Sequence, residues 1–121
     1  ATRTGDDASG AQTIAHGLAT TPTFVRIDAV KSKAPANGWI SHSWGSFDGT
    51  TTCCVRTQIN EGTPDTSSGN SSTNIVQIRD DAAAAANQVA TISVDATNIT
   101  LNWTKTGTPT SANINMMWTA Q

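Results

Sequence analysis

Tyrosine is absent from the chain, and its four tryptophans and two phenylalanines give an aromatic content of only 5% in 121 residues. Charge is scarce too: Asp, Glu, Lys and Arg together make up 13%, where a soluble domain ordinarily carries roughly 25%. Solubility therefore has to rest on hydroxyls and amides. With 7 basic and 9 acidic residues and a formal net charge of -2, there is no clustered basic surface for a phosphate backbone, and direct nucleic-acid binding is not expected. No apolar run approaches the eighteen or so residues of a helical membrane span, so no membrane insertion is expected. Ala1 to Gly10 lack the charged-then-apolar order of a signal peptide, and the chain is expected either to be soluble as it stands or to have lost a leader.

Cysteine is limited to the adjacent Cys53 and Cys54. On an extended strand neighbouring side chains point to opposite faces, and a bond between them demands unusual backbone geometry, so two free thiols are expected. Two cysteines supply neither a disulfide framework nor a four-cysteine metal site.

What the chain does have is apolar residues at every second position within threonine- and asparagine-rich runs: Ile99, Leu101 and Trp103, then Ile114, Met116 and Trp118. This is strand periodicity. Thr100, Asn102, Asn115 and Met117 stand between them, so a pleated strand sends large side chains to one face and mostly uncharged polar ones to the other. Trp103 and Trp118, with their aliphatic companions, are assigned to the core.

The same reading places strands at 13–15, 23–30, 39–44, 50–59, 74–79, 88–94 and 99–103, with a last one ending near Trp118. Segments 31–38, 45–49, 95–98 and 105–111 carry the Gly, Pro, Asn and Asp of connections. Asn60 to Thr73 carries Gly62, Pro64, Asp65, Gly69 and Asn70 and no aliphatic or aromatic side chain beyond the proline ring, and is expected to be the longest exposed loop. Ala82 to Ala86 is read as one helical turn or a loop, since five alanines are too few for a stable isolated helix. About eight strands without a convincing helix in one domain's length give an all-β fold, an antiparallel β-sandwich, with an eight-stranded jelly roll as the expected topology. The sandwich is expected over 13–121. Residues 1–12 are too poor in apolar groups to hold themselves down and form either a flexible arm or a segment ordered by a neighbouring subunit.

Chemistry is thinly represented. His16 and His42 have no acidic companion at a zinc-motif spacing, which favours structural or surface roles. Ser41, His42 and Asp48 contain the ingredients of a hydrolytic triad, but no nucleophile elbow orders them. Asp80 and Asp81 are adjacent, diverge on a strand and are expected to be solvated at a turn, not to bind calcium or act on a glycoside. No enzyme is expected, and no cofactor or metal. Trp39 and Trp44 have opposite parity, so one is expected to fill the sandwich while the other meets a subunit or a sugar. Three sequons, beginning at Asn70, Asn98 and Asn102, are read as ordinary polar residues.

The segment Gln12-Thr13-Ile14-Ala15-His16-Gly17-Leu18-Ala19-Thr20-Thr21-Pro22-Thr23-Phe24-Val25-Arg26-Ile27 resembles one near the start of β-sandwich domains in tailed-bacteriophage virion proteins. Those families include capsid-stabilising decoration proteins and parts of tail fibres. The likeness covers residues 12–27 and supplies no catalytic residues. It implies architectural roles for Gly17, Leu18, Pro22 and Val25, and a homotrimer, since some relatives are trimers with a jelly roll similar to tumour necrosis factor. The expected function is then that of a capsid decoration protein, made in the host cytoplasm and bound to the major capsid protein on the virion surface. Arg3, Asp6 and Asp7 of the arm are its candidate capsid contacts. The alternative is a tail-fibre or tail-spike module binding cell-surface carbohydrate through Trp39, Trp44, Asn60 and Asn70.

Overall fold

A computed structural model describes residues 1–32, 39–60, 66–80 and 86–121. Among them ten strands follow in order: β1 (Thr2–Thr4), β2 (Gly10–Ala15), β3 (Val25–Ser32), β4 (Trp39–Phe47), β5 (Thr52–Asn60), β6 (Thr66–Ser71), β7 (Val76–Arg79), β8 (Asn87–Val94), β9 (Asn98–Thr106) and β10 (Asn113–Ala120). They form a six-stranded sheet, β1-β10-β3-β4-β5-β6, and a four-stranded sheet, β2-β9-β8-β7. Every pairing is antiparallel. The all-β antiparallel sandwich is therefore as expected. The strand order is not that of a jelly roll: β3, β4 and β5 are successive neighbours in one sheet and β7, β8 and β9 in the other. These are two meanders, β3 to β6 extended by β10 and then β1, and β7 to β9 extended by β2. Short connections join strands side by side within a sheet, which strand counting alone does not register.

Period-two alternation builds the interior. Along β3, Val25, Ile27, Ala29 and Lys31 are buried while Arg26, Val30 and Ser32 are exposed. Ile99, Leu101 and Trp103 of β9 and Ile114 and Met116 of β10 meet Ile75, Val76 and Ile78 in one buried cluster, with Trp118 packed at its margin. Each such aliphatic side chain contributes about 1.5–3 kcal/mol when fully buried, so this cluster is the main source of stability. Cys54 is buried and Cys53 exposed, both as free thiols. Burial pushes the Cys54 thiol up.

The two sheets close most tightly where β4 meets β7. Ser41 and Ser43 are fully buried on the inner face of β4, and their hydroxyls accept from the backbone N–H groups of Arg79 and Gln77, each at 3.0 Å. Those N–H groups belong to an edge strand and have no ladder partner on that side, so the serines satisfy donors that would otherwise template a foreign strand.

Residues 1–12 are part of the sandwich, in contrast to the arm expected from their composition. β1 pairs with β10 and β2 with β9. Polar contacts supply what apolar side chains do not. Arg3 is buried, donates to Gln88 Oε1 at 3.3 Å and to the Ala8 carbonyl at 2.6 Å, and lies 4.9 Å from the Trp103 ring. Gln88 in turn donates to the carbonyls of Gly5 and Asp7. Gln12 accepts from Trp103 Nε1 and donates to the Thr2 carbonyl.

Two further differences concern polar segments. Residues 66–71, expected within a long loop, form β6: an edge strand held by backbone pairing to β5 needs no apolar side chains. Asp80, expected to be solvated, is 5% exposed in its side chain and ion-paired to the fully buried Lys31 at 2.8 Å. The expectations for 33–38, for 61–65 and for Asp81 and most of the alanine run fall outside the described residues.

The β8–β9 turn illustrates local acid chemistry. Asp95 Oδ1 accepts from Thr97 N at 2.7 Å, Thr97 Oγ1 at 2.9 Å and Asn98 N at 2.8 Å. The Thr97 backbone bond foremost, with the others, holds its carboxyl below the ordinary value. A depressed carboxylate stabilises the fold above its unfolded pKa of about 3.9, and that contribution disappears as pH falls through the lower folded value. Asp95→Ala is thus expected to lower the melting temperature at pH 7, with the gap to the unmodified chain narrowing below about pH 4. Thermal melts from pH 2 to 7 measure this; a gap that does not change with pH would show that the carboxylate charge is irrelevant to the turn.

Candidate functional site

The outer face of the six-stranded sheet is the candidate site. Strand register sets its rows. Met117 of β10 lies opposite Asp28 of β3, then come Trp44 of β4, Val55 of β5 and Asn70 of β6. The adjacent row runs Asn115, Val30, His42, Thr57 and Ser68. Ile40 and Ile59 pair one step further along. Because β4 is inward at 39, 41, 43 and 45, its Ile40, His42 and Trp44 face out together.

Every large apolar side chain that is exposed among the described residues belongs to this face or its margin: Phe24 at 38%, Val30 37%, Ile40 51%, Trp44 37%, Val55 50%, Ile59 58% and Met117 75%. Phe24, just before β3, shares a shallow groove with Arg26 and Trp44. A second open groove, of about 440 Å³, runs between β10 and β3 and is lined by Val30, His42, Asn115 and Met117 among others. The rings of His42 and Trp44 touch, with centroids 3.8 Å apart and planes tilted by 36°. The charged pair on this face, Arg26 and Asp28, is joined at 3.4 Å, so the face has no net charge from it.

The opposite outer face, on the four-stranded sheet, is of another kind. Its rows place Thr13 beside Thr100 and Ser93, and Ala11 beside Asn102 and Thr91. It offers hydroxyls and amides.

The expected site residues distribute as follows. Trp39 is 7% exposed, on the inner side of β4, with Lys31 Nζ 5.5 Å from its ring; Trp44 is the outward one. The parity argument thus holds, and it removes Trp39 from a sugar platform. Asn70 is exposed on the same face as Trp44, two strand spacings or about 10 Å away; the side chain of Asn60 lies outside the described residues. Arg3 is buried and engaged within the chain, so it is withdrawn as a capsid contact, whereas Asp6 and Asp7 remain exposed. Gly17 has φ 73°, a left-handed turn conformation that glycine adopts without strain. Pro22 and Val25 are buried and Leu18 is half-buried beside them in sequence, in keeping with architectural roles. Trp103 is in the core and Trp118 against it.

His16 accepts from Leu18 N at Nδ1, 3.0 Å, and its Nε2 lies 3.0 Å from the Asp95 carbonyl. Both ring nitrogens are therefore engaged, and the two partners select the tautomer protonated at Nε2. Ser41 and His42 face opposite ways, and Asp48 is occupied with Thr50 N and Thr51 N in its own turn; the triad ingredients do not meet. No group of three or more His, Cys, Asp or Glu suited to a metal occurs among the described residues.

Sequence reasoning missed two features. Arg56 is buried beneath β6, donates to Ser67 Oγ at 3.1 Å, and shares that hydroxyl with Arg79 at 3.4 Å. Burial, then the charge of Arg79, lowers its pKa. The apolar outer face was also missed, although Val30, Ile40, Val55 and Ile59 all occupy outward parity positions; parity counted across strands is the signal that finds it. The chain matches no protein-family model, no curated protein and no solved structure.

Proposed function

We propose that this chain is a non-enzymatic structural subunit of a bacteriophage virion, a capsid decoration protein that acts as a surface-bound trimer and stabilises the assembled shell. The observation that carries this reading is the one-sidedness of the sandwich: among the described residues, one outer face with its margin bears all the large exposed apolar groups, and the other bears mostly hydroxyls and amides. Contiguous apolar surface on a soluble domain marks an interaction face. A largely uncharged polar face, with Arg79 at its β7 edge, suits many weak contacts repeated over a lattice, where multivalency makes modest individual affinities sufficient. The phage setting comes from the resemblance of residues 12–27. Asp6 and Asp7, in the exposed connection between β1 and β2, remain candidate contacts to the major capsid protein.

A second reading, a carbohydrate-binding module of a tail fibre, is favoured by the outward Trp44 ring with Asn70 on the same face, a pairing of stacking surface and amide that suits a sugar. Immunogold imaging of intact particles with an antibody raised against this domain separates the two. Uniform labelling of the shell is expected. Labelling confined to the tail would overturn the decoration role and favour the carbohydrate reading.

A further inference from the structure

We infer that the outer face of the six-stranded sheet is covered by further copies of this same chain, with Val30, Ile40, Trp44, Val55, Ile59 and Met117 forming the contact. This deepens the assembly part of the proposed function and holds whether the particle site is shell or tail.

Three features point to a copy of the chain. First, the size is right. With strands about 4.8 Å apart and about 3.3 Å per residue, the four central strands give a footprint on the order of 500 Å², and the shorter β1 and β6 bring the whole face to roughly 680 Å². Stable specific interfaces cover about 600–1,000 Å² on each partner, so the sheet face as a whole falls within that range, toward its lower end. Second, the electrostatics are self-matching. Arg26 and Asp28 neutralise each other within the face, and the remaining outward positions in the central rows are Asn, Thr, Ser, the imidazole of His42, or apolar. A face without a dominant sign gives no selection for a basic or acidic partner, and it meets its own copy without like-charge repulsion. Third, the chemistry is that of an interface core: Trp, Met and branched aliphatics, depleted in Lys and Glu. The chain already buries sheet against sheet in its own interior, and the same layer packing serves between copies.

Met117 provides a probe that needs no substitution. It is 75% exposed in the isolated chain while its neighbour Met116 is 4% exposed, so hydrogen peroxide added to a monomer oxidises Met117 to the sulfoxide well ahead of Met116. In the assembled state Met117 is covered and its oxidation slows, by an expected tenfold or more, recovering when the protein is diluted until it dissociates. The full chain at micromolar concentration is examined by native mass spectrometry, with peptide mapping of the two methionines. The double variant Val55→Lys/Ile59→Lys, folded by circular dichroism, is expected to associate on the order of a hundredfold more weakly. Should that variant fail to fold, Ile59→Gln with the peroxide protection of Met117 takes its place. A monomeric chain would overturn both this inference and the trimer, and a dimer with Met117 protected, the two-fold outcome of a face meeting its own copy, would overturn the trimer alone. An oligomer in which Met117 oxidises as fast as in the diluted monomer, or that survives the charged substitutions, would overturn this inference alone and leave the trimer standing on another surface.

Discussion

Lys31→Met is expected to destabilise the domain by about 3–5 kcal/mol, the cost of leaving one member of a buried ion pair without its partner. For a chain of this size that is a fall in melting temperature of roughly ten degrees or more. Lys31 is fully buried, and its ammonium donates to Asp80 Oδ1, Asp80 Oδ2 and the Thr110 carbonyl, each at 2.8 Å. Three donors thus meet three acceptors. Asp80 also accepts from the backbone N–H and the hydroxyl of Thr110. The pair ties the end of β3 to the residue after β7 and to the connection between β9 and β10. Gly5 belongs to the same arrangement: a Cβ there would collide with the Lys31 ammonium and with the Ala112 carbonyl. Methionine keeps the aliphatic stem beside Trp39 but loses the charge, so Asp80 remains a buried carboxylate with Thr110 alone. The double variant Lys31→Met/Asp80→Leu, in which no charge is stranded, is expected to recover much of the loss. Denaturant titrations of the two variants measure it; a single variant within about 1 kcal/mol of the unmodified chain would show that water reaches Asp80 and replaces the lysine.

That pair also marks where the sequence stops being legible. Alternation in β3, β9 and β10 reads directly, because period two and burial are the same fact seen twice: Ile99, Leu101 and Trp103 face the core since nothing else in their strand can. Lys31 has the same inward parity as Val25, Ile27 and Ala29, yet a lysine reads as a loop residue unless its partner 49 positions away is known. Residues 1–12 and β6 were illegible for a related reason. Their order comes from backbone pairing and from Arg3, Gln12, Gln88 and Arg56, and polar side chains satisfied at long range carry no local pattern. The outer apolar face was half visible: Trp39 and Trp44 were separated correctly by parity, but Val30, Val55 and Ile59 become one surface only after strand order brings them together. Sheet order itself depends on which connections stay within a layer, and the choice between meanders and a jelly roll is not encoded in any single strand.

Gly45→Ala is expected to cost on the order of 3 kcal/mol, at the upper end of overpacking penalties, because what it strikes is backbone. Gly45 sits on the inner face of β4, and a Cβ added there would run into the Ile75 carbonyl, 2.7 Å from its carbon and from Ile75 Cγ1. A flexible side chain would move aside. The Ile75 backbone is fixed by its own bond, Ile75 N to the Ala90 carbonyl at 2.8 Å, so relief requires β4 and β7 to separate. Separation then pulls the Ser43 and Ser41 hydroxyls from Gln77 N and Arg79 N, each buried donor left unpaired costing about 1–3 kcal/mol. Ser43→Ala isolates that second contribution, since it removes one acceptor without adding bulk. Ser46→Ala, at the next position along β4 but without inward parity, is the control and is expected to leave stability within about 0.5 kcal/mol. The consequence extends beyond stability: Ile40, His42 and Trp44 ride on the outer side of the same strand, so displacing β4 also disturbs the face assigned to self-association. Gly45→Ala should therefore lower both melting temperature and oligomer content, whereas Val55→Lys/Ile59→Lys should lower the second and largely spare the first. If Gly45→Ala melts like the unmodified chain, the two sheets have room to part at β4 and β7, and the close approach there is not what holds the sandwich shut.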